Sequence, residues 1–355
     1  MTDTLPTFAE LCRALLAVES FIAVALASTL AVSALYSRSR KARVETRLVR
    51  GRAIMARVLA EDARAGDLES LTALPWSTRI ALVLEFAPSL AGRERERLTN
   101  IGGTLGVVAH AEALCRSCVW WRRLRGARLV TALDDDSPAM RDLLRDPSSA
   151  VRAQALVWAA GRIDQDVIDE LVRHLVDPER LCRFTVQDSL LRLGNPAAAA
   201  LARFLASAES AGLEDGLAVA RGLAHPELLS PVLALASHPS DRVRAHAIAV
   251  LGVLGGEIAV RSLGEHLLDP SPLVRAAAAR ATGELGYWQA SSDLARLLGD
   301  SSWPVRRESA LALRRLGGAG QLSLRRALKD ANPFAADMAR QVLDLPDPVY
   351  NRIAG

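Results

Sequence analysis

The chain has 355 residues, half of them hydrophobic but only 4% aromatic, with 44 basic and 40 acidic side chains and a formal charge of +4. A composition with so few aromatic residues favours stacked helices and argues against a β-sandwich. Four cysteines do not indicate a disulfide framework in a chain of this length.

An apolar run occupies residues 14–36, with Glu19 as its single charge. As a helix it would be about 34 Å long, enough for a bilayer core of about 30 Å. We therefore expect residues 1–13 to form a short extracytoplasmic N-terminus and residues 14–36 to form a transmembrane helix. An acidic side chain at membrane depth is normally paired. Glu19 is thus predicted either to contact a partner in the membrane or to reach the interface at the outer end.

A basic cluster follows the apolar run, whereas a cleaved signal peptide would carry its positive charge first. Residues 38–52 hold seven basic side chains and one acidic one, a formal charge of +6, so that the rest of the chain carries −2. Because such clusters stay on the cytoplasmic side, we expect a single-pass protein of the inner (cytoplasmic) membrane, N-terminus outside and the remainder in the cytoplasm. Four of the side chains are expected to contact anionic lipid head groups: Arg38, Arg40, Lys41 and Arg43.

Residues 37–103 are predicted to form a basic juxtamembrane helix and a helical linker, interrupted by Gly66 and by the LPWS turn at residues 74–77. Residues 104–345 are predicted to be the repeat region, and residues 346–355 a C-terminal tail.

One pattern returns every 30 or 31 residues in the repeat region, for example as DPSPLVRAAAARATGELG from Asp269 and DSSWPVRRESALALRRLG from Asp300. Relative to the arginine after valine, small or apolar residues recur at offsets −1, +3, +7 and +10, which is one face of a helix. A glycine at +11 ends that helix in four units (Gly194, Gly255, Gly286 and Gly317), since glycine adopts a positive φ at little cost. A second apolar stripe precedes each arginine. Each unit is therefore predicted to be two short antiparallel helices that stack into an all-α solenoid.

The pattern D-P-x-x-x-V-R-x-x-A closing on L-G resembles HEAT repeats of the type named after phycobilisome lyases, from about Trp120 to Leu345. The resemblance implies a structural ladder of aspartates and arginines that joins neighbouring units across their turns. Its predicted members are Asp146, Arg152, Asp177, Arg183, Arg244, Asp269, Arg275, Asp300 and Arg306. A row of arginines that binds an anion is the weaker alternative, because a carboxylate accompanies almost every arginine.

No motif points to a catalytic, metal or nucleotide site. Cys115 and Cys118 form a C-x-x-C with His110 nearby, but zinc needs a fourth ligand. The GGTLG segment at residues 102–106 lacks the lysine of a phosphate-binding loop. We expect no catalytic residue, no metal, no cofactor and no small-molecule ligand. A nucleic-acid partner is not expected either, because the excess basic charge lies outside the repeats.

Three functions compete. The first is a non-catalytic, membrane-tethered scaffold that binds a protein through its solenoid. The second is an enzyme or chaperone similar to phycobilin lyases, and the third a base-excision enzyme similar to HEAT-fold DNA glycosylases. The near-neutral repeats speak against the third, and the apolar run against the second. We favour the scaffold; the resemblance implies an accessory subunit of a membrane enzyme, such as an envelope glycosyltransferase.

The partner is expected on the inner face of the solenoid, which the second helices line. Offset +2 carries Thr185, His246, Ala277 and Glu308 there, and offset +9 carries Arg192, Val253, Glu284 and Arg315. These mixed signs suit a protein surface. Because tryptophan, tyrosine and arginine dominate binding sites, the predicted partner-binding residues are Trp158, Arg192, Tyr287, Trp288 and Trp303. Each aromatic ring could instead pack over a neighbouring repeat.

Overall fold

The computed structural model describes residues 26, 28, 29, 45–207 and 211–354. All regular elements in these ranges are helices, so the predicted all-α repeat fold is confirmed. The chain divides into two compact units. The first holds the residues up to Leu114 together with Arg128–Asp135, and the second holds Cys115–Ala127 together with the chain from Asp136 onward.

The first unit is built from short helices around a leucine-rich core that includes Leu82 and Leu98. Arg57 and Asp67 form an ion pair of 2.7 Å within it. Its helices are α1 (45–59), α2 (Asp67–Thr72), α3 (Trp76–Phe86), α4 (Gly92–Thr104) and α5 (Val107–Cys115), and the residues of α6 (Trp120–Leu133) are divided between the units.

The second unit is a series of helix pairs. The first helices of the pairs are α7 (Pro138–Leu143), α9 (Gln165–Arg173), α11 (Ala198–Ser207), α13 (Leu229–Leu235), α15 (Gly256–His266), α17 (Ser291–Leu297) and α19 (Gly318–Ala327). The second helices are α8 (Ser149–Ala159), α10 (Arg180–Leu193), α12 (Leu213–Leu223), α14 (Asp241–Leu254), α16 (Pro272–Glu284), α18 (Trp303–Arg315) and α20 (Pro333–Asp344). One more helix, α21 (Asp347–Ala354), lies in the segment predicted to be a tail.

The second helices end where the glycine at offset +11 stands. Gly194, Gly255 and Gly317 have φ of 67°, 68° and 69° with ψ of −134°, −161° and −133°. This region of the backbone map is open almost only to glycine. The unit of α12, which lacks this glycine, ends differently: Ala224 takes a left-handed conformation with φ of 49°. A side chain in that conformation is strained, which marks this unit as irregular.

The second helices pack against one another in a row, with small residues where they touch. A Cβ atom on Gly252 would lie 2.6 Å from Cβ of Ala281, and one on Gly283 would lie 2.7 Å from Cα of Ala312. Both distances are shorter than side-chain contacts allow. The close approach of α14, α16 and α18 therefore depends on glycine at offset +8.

Arginine and aspartate pairs connect successive turns on the second unit. Arg152, Arg244 and Arg275 each donate two hydrogen bonds, of 2.8–3.0 Å, to the aspartate 25 residues later: Asp177, Asp269 and Asp300. The third nitrogen of each arginine donates to the backbone carbonyl six residues earlier. The aspartates also accept the backbone N–H two residues ahead, which orders the turn. One guanidinium thus ties two consecutive turns together.

The ladder has one further pair, one irregular contact and one end. Arg123 makes the same contact with Asp146, at 2.6 and 2.9 Å, although it lies outside the predicted set. The guanidinium of Arg183 lies 3.3 Å from the carboxylate of Asp215. Asp215 belongs to the following second helix, α12, and not to a turn. Arg306 keeps the bond to the carbonyl of Asp300, and its guanidinium lies 4.8 Å from the ring centroid of Phe334. No aspartate stands 25 residues after Arg306, so the series stops there.

The aspartates of the ladder should make the fold sensitive to acid. Burial by itself would raise the pKa values of Asp177, Asp269 and Asp300, but the arginine, the turn N–H and the local positive charge together lower them. A carboxyl whose folded pKa is depressed stabilises the fold above its unfolded pKa, near 4, and loses that contribution as pH falls through the folded value. We expect the stabilisation that these carboxylates give to the fold to stay constant between about pH 7 and pH 5. The melting temperature should decrease once the pH drops below about 4.

Thermal unfolding followed by circular dichroism across that range tests the expectation. Arg275→Ala should melt lower at neutral pH but lose less on acidification, since Asp300 no longer has its arginine partner. Equal acid sensitivity of the two proteins would contradict this role of the pair.

The predicted transmembrane helix, residues 14–36 with Glu19, lies outside the described residues except for residues 26, 28 and 29, and so do Arg38, Arg40, Lys41 and Arg43. Throughout the part of the chain that the structure does describe, no helix combines the length and the apolar character needed to cross a bilayer. A single-pass protein requires one such helix of about 20 residues. The predicted localisation, a single-pass inner-membrane protein with its N-terminus outside and its solenoid in the cytoplasm, is corrected by this finding and is withdrawn.

Candidate protein-binding groove

A groove runs over the second helices of four successive units. It has a volume of about 370 Å³ and lies on α12, α14, α16 and the start of α18. Its lining residues are Arg221, Ala249, Leu273, Ala276, Ala277, Arg280, Ala281, Glu284, Trp303, Pro304, Arg307 and Glu308.

The floor of the groove is alanine. Ala276, Ala277 and Ala281 follow one face of α16, and Ala249 of α14 stands beside them. Methyl side chains leave the helix backbone nearly bare, so the floor lies lower than the longer side chains around it. The same small residues let neighbouring helices pack closely.

Two apolar side chains form one end of the groove. Trp303 at the start of α18 is 53% exposed, and Leu273 at the start of α16 is 48% exposed. The guanidinium of Arg307 lies 5.8 Å from the centroid of the Trp303 ring, a cation–π distance. A large ring that stays half exposed beside an apolar floor is a typical anchor point for a partner.

Ion pairs form the sides of the groove. Glu308 is buried, and its two oxygens accept hydrogen bonds from Arg280 at 3.0 Å and Arg307 at 2.8 Å. The bond to Glu308 is the main cause of a raised pKa of Arg280, against the opposing effect of burial.

Glu284 is held in a similar way, between Arg221 at 3.5 Å and Arg315 at 4.0 Å. Arg221 belongs to α12 and Glu284 to α16, so this pair crosses above α14. Two side chains can meet over an intervening helix where that helix presents only small residues to them, and α14 presents Ala249 here. They can also meet where the row of helices bends towards this side.

Trp158 is not part of this surface. It is only 2% exposed in α8, and the guanidinium of Arg162 lies 4.9 Å from its ring centroid. Its offset is +6, and the residues at that offset in other units, such as Ala281 and Ala312, are buried as well. A side chain as large as tryptophan at this buried offset packs between the stacked helices. The prediction that Trp158 contacts a partner is therefore corrected: the ring is a core residue.

The other predicted partner-binding residues are spread over different surfaces. Arg192 is exposed on α10 and pairs with Asp188 of the same helix at 3.2 Å. Tyr287 is half-buried, and Trp288 is 60% exposed in a second groove with Leu322 and Arg326 on the first helices. The groove that contains Trp303 shares no residue with that one. The sequence analysis thus predicted one binding surface, whereas the structure places these residues on several different surfaces.

The predicted inner-face offsets find three of the twelve residues that line the groove. Ala277 and Glu308 at offset +2 and Glu284 at +9 are among the predicted inner-face residues, and they line the groove. Offset +5 was missed, although it supplies Ala249 and Arg280. Offsets +2, +5 and +9 advance by three and four residues and so follow one helical stripe. That spacing was the available signal.

The two cysteines considered as metal ligands differ in solvent exposure. Cys115 is buried and Cys118 is exposed. Among the described side chains, no group of three or more histidine, cysteine, aspartate and glutamate residues has the arrangement of a metal site.

A family model described as HEAT repeats matches residues 137–220 and 260–344. Those two segments are HEAT repeats. They include α7 to α11 and most of α12, then most of α15 and all of α16 to α19, together with α20. The lining residues on α16 and α18 fall within the second matched segment, whereas Arg221 and Ala249 lie between the two segments.

Several solved structures match the chain at low identity. A crystal structure of an engineered protein is 16% identical, with 85% of this chain and 95% of that chain covered and a TM-score of 0.38. The complex of CpcE and CpcF of phycocyanin lyase from Nostoc sp. PCC7120 is 17% identical, with 67% and 93% covered and a TM-score of 0.31. Human deoxyhypusine hydroxylase in complex with glycerol is 20% identical, with 71% and 99% covered and a TM-score of 0.29.

At such low identities and TM-scores, nothing about the chemistry or partners of this chain follows from those three proteins. No curated protein sequence matches the chain.

Proposed function

We propose that this chain is a non-catalytic scaffold that binds a protein partner in the groove over α12, α14, α16 and α18. The observation that supports this most directly is a half-exposed tryptophan, Trp303, at the end of an alanine floor with ion-paired sides. Interface centres combine such aromatic anchors with small complementary surfaces, and their rims are polar. Stacked HEAT repeats present the extended surface that such binding uses.

The chemistry of the lining supports a binding role over a catalytic one. No serine, cysteine, histidine or lysine lies among the lining residues. The two carboxylates, Glu284 and Glu308, are each held by two arginines. Both carboxylates are thus already engaged in ion pairs within the protein.

More specific partners remain hypotheses within this proposal. The resemblance implies a glycosyltransferase of envelope polysaccharide assembly as the enzyme to which the scaffold belongs, and a phycobilin-lyase-like enzyme or chaperone as the alternative. A partner identified by the experiment below decides between them.

Photo-crosslinking from the groove tests the proposal. A benzophenone amino acid at position 277 should capture a defined partner, whereas the same group at position 323, in the second groove, should not. Trp303→Ala should reduce the yield at position 277 by roughly tenfold or more, since aromatic anchors contribute about 2 kcal/mol or more to binding.

Trp288→Ala is the matched control, because this tryptophan is equally exposed on the other surface. It should leave the yield from position 277 unchanged. If position 323 captures the partner and position 277 does not, the binding surface lies on the first helices and the groove assignment is wrong.

A further inference from the structure

The groove carries an imbalance of charge that restricts what it can bind. Four guanidinium groups, from Arg221, Arg280, Arg307 and Arg315, surround the two carboxylates of Glu284 and Glu308. Three of these arginines line the groove, so one net positive charge remains among the lining residues after pairing, and Arg315, outside the lining, adds a second beside Glu284. Arginine has five N–H donors, and each of these arginines contacts a glutamate through only one or two of its nitrogens.

Several of these donors face solvent at the groove. The side chains of Arg280 and Arg221 are 52% and 45% exposed although both are engaged in ion pairs. The glutamates hold the guanidinium groups in fixed positions, which reduces the entropy lost when a further acceptor binds. The sides of the groove are thus prepared for carboxylates or other anions.

The floor selects against a ligand that is anionic throughout. Ala249, Ala276 and Ala277 offer no donor to an anion, and Leu273 and Trp303 offer apolar surface. A phosphate backbone would leave this surface uncovered. An occupant that satisfies both parts needs an apolar stripe flanked by acidic side chains.

The backbone of the occupant is restricted as well. The described helices bordering the groove have no open strand edge, so an extended peptide would bury unpaired N–H and C=O groups against the alanine floor, at considerable cost. A helix satisfies its own backbone and presents only side chains. From Leu273 to Glu284 the floor extends for about 16 Å, which is roughly three helical turns.

We infer that the groove binds an acidic amphipathic helix of a partner protein, with its apolar stripe on the alanine floor against Trp303 and its carboxylates on Arg221 and Arg280. This inference rests on the proposed function and adds the chemical class of the partner. It is the helix-in-groove mode of recognition, with the charge pattern set by the surplus arginines.

Designed peptides test the inference on the full chain. One fluorescein-labelled peptide of about sixteen residues carries leucines on one helical face and glutamates beside them; its counterpart has lysine for every glutamate. In fluorescence anisotropy the glutamate peptide should bind roughly tenfold or more tightly than the lysine peptide, and its affinity should weaken between about 50 and 300 mM salt. Lysine-peptide binding of equal strength would overturn the inference.

Charge variants locate the contact. Arg221→Glu should weaken binding of the glutamate peptide roughly tenfold, and Arg280→Gln should weaken it less, with melting curves recorded for both. Arg261→Glu is the control, since Arg261 is 70% exposed on α15 and also pairs with a glutamate, Glu257. If Arg261→Glu weakens binding as much as Arg221→Glu, the peptide is attracted by overall charge and the inference fails.

Two further outcomes separate this inference from the proposed function. A duplex of about 20 base pairs that binds more tightly than the glutamate peptide would overturn the inference. The inference would also be overturned if neither of the two peptides bound. In both cases crosslinking from position 277 still decides whether the groove is a protein-binding surface.

Discussion

A single methyl group at position 283 should lower the melting temperature of the chain by several degrees. Gly283 of α16 faces α18 so closely that a Cβ atom would lie 2.7 Å from Cα and 2.8 Å from Cβ of Ala312. The first of these atoms is backbone, so the clash cannot be relieved by a rotamer change. The two helices must separate, and α14, which packs on the other side of α16, must adjust as well.

Overpacking of this kind costs about 1–3 kcal/mol. For a chain of this size that corresponds to a loss of roughly 2–10 °C, measured by circular dichroism or calorimetry. Gly264→Ala is a matched control, because Gly264 also lies within a helix, α15, and nothing stands within 4 Å of its Cβ position. There the same substitution should raise stability by about 0.5–1 kcal/mol, since alanine is the better helix former.

The sign of the difference between the two variants is the critical result. If Gly283→Ala melts at or above the wild-type temperature, as Gly264→Ala should, α16 and α18 do not approach as closely as described. Because α16 also supplies the groove floor, Gly283→Ala should in addition weaken partner binding.

Arg275→Ala should destabilise the fold by about 2–3 kcal/mol. The arginine donates two hydrogen bonds to Asp300, at 2.8 and 2.9 Å, and a third, at 2.8 Å, to the carbonyl of Asp269. The side chain of Asp300 is only 9% exposed, so removal of the arginine leaves a nearly buried carboxylate with the turn N–H as its remaining donor. An unpaired buried charge costs more than the pair contributes.

Chemical denaturation gives the measurement, with Arg261→Ala as the control for an exposed arginine, whose ion pair should be worth no more than about 0.5 kcal/mol. A double-mutant cycle with Asp300→Ala should show strong coupling, because each single variant already removes the same contact. Binding of the partner per folded molecule should be unchanged. If binding is lost while the unfolding transition stays in place, the arginine contacts the ligand and the ladder is not merely structural.

The fold could be predicted from periodicity to a large extent. A period of 30 or 31 residues, one apolar stripe per helix and glycine at offset +11 are local properties, and each acts within one helix pair. The glycine ends illustrate this: Gly194, Gly255, Gly286 and Gly317 each take a positive φ after their second helix, which glycine adopts at little cost. Where the glycine is missing, Ala224 shows that the turn is retained at the expense of strain.

Contacts between neighbouring repeats could be assigned only from the tertiary structure. The aspartates and arginines of the ladder could be picked out by their spacing, but each arginine pairs with the aspartate of the following unit and also holds its own turn. Only Arg152, Arg244 and Arg275 of the predicted arginines make this double contact, because it depends on how far one repeat is displaced from the next. The same displacement places Trp158 between helices. Counting offsets from the arginine could not predict this, because the unit of Trp158 is irregular.

Sequence alone therefore determined the local features of this protein: its helix pairs, their length and the residues that end them, because these follow from backbone conformation and from one-helix hydrophobic patterns. The groove was decided only in three dimensions. It exists because Gly252 and Gly283 let three helices approach and because alanines from two of them meet to form one floor. Such a surface is a property of neighbouring repeats, and no single repeat encodes it.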